Sequence, residues 1–142
     1  MTYENYIKAR MVDFVIGEAY VSGGLEPMLA VAQVLKNRVD AGWMGGDWVR
    51  VIERAPEYRG TVQPDVRTHL NPREGTFREL LRRIDDIYHG TAGDDVLRND
   101  SGIPLFYAEL HNINREWFRE QILSDRESHP RLASAGQLTF FG

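Results

Sequence analysis

Between Glu26 and Asp40 the chain reads EPMLAVAQVLKNRVD, and Met28, Leu29, Val31, Ala32, Val34, Leu35 and Val39 fall on more than one stripe of a helix. A helix that is apolar on several sides has little solvent face to offer. It has to lie at the centre of a core with other elements packed around it. Pro27 fits the first turn of this helix, where its missing N–H removes no intrahelical bond. A chain of 142 residues has room for one such core, so the expected organisation is a single domain, residues 1–142. A hydrophobic fraction of 42% places the chain among globular proteins rather than disordered ones.

The elements that would surround the central helix follow from periodicity. Tyr6, Ile7, Met11, Phe14 and Val15 predict an amphipathic helix over residues 3 to 20, which VSGGLEP then breaks with paired glycines. AGWMGGD reads as a turn, with Asp47 available to cap a short helix over 48–55. Residues 56–75 carry Pro56, Gly60, Pro64, Pro72 and Gly75 and read as a long loop, of the kind usually kept for function or left disordered. Thr76 and Glu79 stand at capping-box spacing, and Phe77, Leu80, Leu81, Ile84 and Ile87 keep one apolar face until Gly90. IPLFYAEL at 103–110 and residues 137–141 suit strands, and Trp117, Phe118, Ile122 and Leu123 a short helix between them. The expected class is mainly α within α+β: helices with a small two- or three-stranded antiparallel sheet.

Composition removes several chemistries. There is no cysteine, hence no disulfide, thiol nucleophile or thiolate metal site. No G-x-S-x-G elbow, Walker loop, H-E-x-x-H or EF-hand loop occurs, and no cofactor or metal is expected. Of His69, His89, His111 and His129, His89 is best explained as a cation at a helix end, and only His111, beside Asn112, stays a candidate site residue. Net charge is −4, and residues 84–142 hold ten acids against five arginines, which disfavours a nucleic-acid partner. The arginines between Arg50 and Arg83 read as a solvated helix face with ion pairs. No apolar run approaches a membrane span, and MTYENYIKARMVDF lacks the pattern of a secretion signal, so neither insertion nor export is expected.

The residue that invites a chemical reading is Glu18 in IGEAYVS. Glycoside cleavage needs a carboxylic acid still protonated near neutrality, and partial burial in apolar surroundings supplies that. A glutamate at the end of an apolar helix, before a glycine-rich bend, meets the requirement. By composition alone a surface glutamate is the better reading.

GEAY one helix upstream of VAQVLKNRV, with PLFYAELHN, a following Trp and a closing GQLTFFG, resembles the SleB-like cell-wall hydrolases, the spore-cortex-lytic enzymes and related phage and bacterial peptidoglycan hydrolases. The resemblance spans residues 10 to 141 and is most specific from Glu18 to Val39. It implies a lysozyme-like helical fold with a small sheet, and a lytic transglycosylase or muramidase that cleaves the bond between N-acetylmuramic acid and N-acetylglucosamine. It makes Glu18 the catalytic acid/base and assigns glycan contact to Asn37, Tyr58, Tyr107, His111 and Asn112, with Arg38 bracing the Glu18 loop. Two features depart from the family. Its glycine-glutamine pair at the start of the second helix falls near Pro27 and Met28, and its GNH-FY ending appears without the histidine. These departures leave open an inactive lysozyme-like glycan-binding or virion-structural domain, and a helical module meeting a basic partner through the acidic C-terminal third. On the enzymatic reading the partner is peptidoglycan glycan strands, the chain is a monomer, and a phage lysin made in the cytoplasm and released through a holin, or carried in the virion, fits the lack of an export signal.

Overall fold

The computed structural model describes residues 2–55, 75–91, 102–110 and 116–142. Helix α1, Tyr3–Ala19, is capped by Thr2, whose side chain accepts from the Asn5 N–H at 3.2 Å. A short turn, Tyr20–Ser22, leads through Gly23 and Gly24 into α2, Leu25–Asp40. The expected central helix is central: Ala30, Val31, Ala32, Val34 and Leu35 are all fully buried, and α1 and the helices at Trp48–Arg54 and Gly75–His89 pack against α2. Helix α3, Trp48–Arg54, starts at Asp47, whose Oδ1 accepts from the Val49 N–H at 3.1 Å. Helix α4, Gly75–His89, turns Leu80, Ile84 and Ile87 inward. On its exposed side the Glu79 carboxylate accepts from Arg82 Nε at 3.1 Å.

Three short strands follow: β1, Phe106–Ala108; β2, Arg131–Ala135; and β3, Leu138–Phe141. They form one antiparallel sheet in the order β1-β3-β2, with Tyr107 opposite Phe140 and Phe106 opposite Phe141. The chain is therefore mainly helical with a small three-stranded antiparallel sheet, as its periodicity indicated. Alternation along the strands sends Tyr107, Leu138 and Phe140 to the helical core. Phe106, Ala108 and Phe141 face the other way, where Phe118 and Ile122 cover them. These last two residues lie on a helical turn, α5, Glu116–Phe118, that widens into a π turn over Arg119–Leu123. A sheet covered on both faces needs no polar alternation, which is why β3 is buried at every position.

Two expectations need trimming, and one strand was not anticipated. The strand read over 103–110 is paired only at Phe106–Ala108, and Ile103 is 66% exposed. The helix read over 114–123 is a short turn and a π turn among the described residues. Strand β2 was not singled out, because RLASA presents only Leu132 and Ala135 as buried side chains and so lacks a strong period of two.

Candidate functional site

Glu18 is the last residue but one of α1, in a stretch where every residue from Phe14 to Ala19 is buried. Its exposure is 4%, so the surface reading fails. The local sequence permits this burial. VIGEA supplies no polar residue besides Glu18 for the last turn, and the chain then bends at Gly23, whose φ of 146° a side chain rarely adopts.

The bend is clasped by the turn joining β2 to β3. The Gln137 N–H donates to the Ser22 carbonyl at 2.8 Å, and a Cβ placed on Gly136 would stand 2.3 Å from the same oxygen and 3.1 Å from Pro27 Cγ. The sheet is thus anchored at the segment that follows Glu18. In the register Ala108 lies opposite Thr139, next to Leu138, so β1 leaves the sheet at the end nearest this clasp.

Asn37 and Arg38, near the C-terminal end of α2, meet the backbone that enters β1, with Tyr107 close to Arg38. Arg38 begins about 16 Å further along α2 than Pro27, eleven residues at the helical rise. Its Nε donates to the Leu105 carbonyl at 2.8 Å, and its guanidinium carbon lies 4.9 Å from the Trp43 ring centre and 5.8 Å from that of Tyr107. Asn37 Nδ2 donates to the Pro104 carbonyl at 2.9 Å, while its Oδ1 accepts from Gln33 at 3.0 Å. The two side chains together hold the backbone that enters β1. Arg38 is 1% exposed and Tyr107 2%, its ring set against Phe140 at 5.8 Å, so these residues are built into the interior. Tyr58, His111 and Asn112 lie outside the described residues.

Potential second carboxylates can also be placed. Glu26 is exposed in the first turn of α2, Glu53 is exposed and 4.0 Å from Arg10, and Asp47 is spent on capping α3. Glu57 falls outside the described residues. At the opposite end of α1, Glu4, Lys8, Asp85 and His89 converge. The Lys8 ammonium stands 2.7 Å from Asp85 Oδ1 and 3.5 Å from Glu4 Oε2, and the His89 ring meets both acids, which makes the group an ion-pair network.

Residue reasoning from the sequence missed Trp43, Gln33 and the Gly136–Ser22 clasp. Trp43 stands in a glycine-rich turn with no periodicity to mark it, and the partners of Asn37 and Arg38 are backbone carbonyls, which no motif reveals. The chain matches no family model, no curated protein and no solved structure. Among the described residues no helix is long and apolar enough to cross a membrane.

Proposed function

We propose that the chain is a peptidoglycan-cleaving glycosidase of the lytic transglycosylase type, with Glu18 as its single acid/base. The observation that carries this reading is the burial of Glu18 at 4% exposure in an otherwise apolar helix end. The SleB-like pattern around it and the mixed helical fold support the same conclusion. In this scheme the Glu18 carboxyl protonates the glycosidic oxygen as the bond from muramyl C1 breaks. The resulting carboxylate then takes the proton of the muramyl C6 hydroxyl, whose oxygen closes on C1 as a 1,6-anhydro ring. Atoms balance without water, and one group acts first as acid and then as base, as it does in retaining glycosidases. A one-carboxylate scheme also agrees with where Glu26, Glu53 and Asp47 stand, none of them buried.

A second reading, a glycan-binding or virion-structural domain without turnover, draws support from the spending of Asn37, Arg38 and Tyr107 on internal contacts. Both readings are decided on purified peptidoglycan. Wild-type chain should clear a peptidoglycan gel and Glu18→Gln should not; equal clearing by the two would remove Glu18 from the mechanism. Mass spectrometry of the digest should find anhydro-muramyl ends. Reducing ends would replace transglycosylation by hydrolysis, and freed peptide stems would mean an amidase. Glycan binding by wild type without any product would establish the second reading.

A further inference from the structure

We propose that His89 is a proton-operated tie between α1 and α4, closed when its ring carries both protons and opened when one is lost. The inference is independent of the glycosidase reading. It starts from where the two ring nitrogens point. Nδ1 lies 2.9 Å from the Asp85 backbone carbonyl and 3.7 Å from Asp85 Oδ2, and Nε2 meets Glu4 Oε1. Both face oxygens that can only accept. A neutral imidazole has one N–H and would turn a lone pair toward one of those oxygens; the imidazolium alone satisfies both.

Charge around the ring argues the same way. From α1 come Glu4 and Lys8, with Lys8 Nζ 2.7 Å from Asp85 Oδ1 and 3.5 Å from Glu4 Oε2. From α4 come Asp85 and the Tyr88 ring, which meets the imidazole edge-on at 5.2 Å. From α2, Lys36 reaches toward Gly90 but is bonded to Asp40 at 3.1 Å. Two carboxylates and one ammonium leave one negative charge, which the imidazolium cancels. The bond to Glu4 is the main cause that raises the His89 pKa above its usual 6.5, and the Asp85 carbonyl adds to it.

What the tie secures is the last turn of α4. Beyond His89, the Gly90 N–H donates to the Ile87 carbonyl at 3.1 Å and the Thr91 N–H to the Asp86 carbonyl at 2.9 Å. Loss of the ring proton releases either the Glu4 contact between helices or the contact to the Asp85 carbonyl. The helix end then frays more readily.

The test is an NMR titration of the full chain, with the His89 ring assigned by comparison with His89→Gln. The ring midpoint should lie above 6.5, and protection of the Gly90 and Thr91 amides, corrected for intrinsic exchange, should fall with that same midpoint. Glu4→Gln, a change at a half-buried position outside the core, should lower the midpoint and flatten the step. A midpoint at or below 6.5, amide protection without a step, or a midpoint unmoved in Glu4→Gln would each overturn the tie.

Discussion

Gly136→Ala is the change that tests how the Glu18 segment is held. Gly136 has φ 57°, so alanine there pays the left-handed penalty of about 1–2 kcal/mol. The new Cβ would also stand 2.3 Å from the Ser22 carbonyl oxygen, a distance at which one backbone must move by several tenths of an ångström. That shift opens the Gln137 N–H to Ser22 carbonyl bond, now 2.8 Å, at a further cost of about 1 kcal/mol or more. The sum is about 2–4 kcal/mol. Unfolding entropy of about 0.3 kcal/mol per kelvin for a chain this size turns it into a Tm drop of about 7–13 °C. Gly42→Ala is the control, because Gly42 is left-handed at φ 84° and ψ 14° but nothing lies within 4 Å of the added carbon. It should lose only the conformational part, about 3–7 °C. Thermal unfolding followed by circular dichroism compares the two. Should Gly136→Ala melt no lower than Gly42→Ala, the clasp between the sheet and the Ser22 segment does not exist as described.

Arg38→Ala removes the donor to the Leu105 carbonyl and empties a buried volume beside Trp43 and Tyr107, at a cost of about 3–5 kcal/mol; an unfolding free energy from chemical denaturation within about 1 kcal/mol of wild type would refute the bracing role. Arg38→Lys should recover only part of this, since a single ammonium cannot both sit by the two rings as the planar guanidinium does and donate from the Nε position. Asp47→Ala removes the cap of α3 and should lower stability by about 1 kcal/mol, with an unchanged melting temperature arguing that the turn before α3 satisfies the Val49 N–H by other means. Because the His89 pKa is raised, the tie contributes stability below its unfolded value and loses it as pH climbs through the folded one. The Asp85 pKa is lowered, chiefly by its bond to Lys8, so that contribution is present above the unfolded value and lost as pH falls through the folded one. Stability measured across acid to mildly alkaline pH should therefore show both limbs, and Glu4→Gln should blunt the alkaline one.

The helices were legible because burial imposed a period on them. Phe14 and Val15 in α1, the all-round apolar α2, and Leu80, Ile84 and Ile87 in α4 each reflect contact with one neighbour or several. The sheet was legible only where it is most buried. Leu138–Phe141 could be read from four buried side chains, whereas Arg131–Ala135 is held by backbone bonding to β3 and carries small residues that leave no hydrophobic signature. The same limit applies to the site. Glu18 could be singled out, but whether it faced water depended on the covering elements, and a glutamate looks the same in sequence at either exposure. Asn37 and Arg38 were legible as a pair worth naming. Their work of holding Pro104 and Leu105 was not, because the partners are carbonyls 67 residues away and carbonyls have no residue type.

The burial of Glu18 separates function from scaffold by the sign of a stability change. Val15, Ile16 and Ala19 beside it on α1 are fully buried, and burying a carboxyl among them costs desolvation that leucine or methionine would not. If the carboxyl is kept for acid/base chemistry, Glu18→Gln, with the same shape and no charge to bury, should leave the melting temperature unchanged or raise it while abolishing turnover, the trade expected when a site is retained against stability. If instead an ionised Glu18 anchors the fold through a buried partner, the same substitution strands that partner and should cost about 3–5 kcal/mol. One purified variant, measured for both unfolding and product formation, therefore distinguishes a catalytic acid from a structural anion. A strongly destabilised Glu18→Gln would count against the glycosidase assignment even if its activity were also lost.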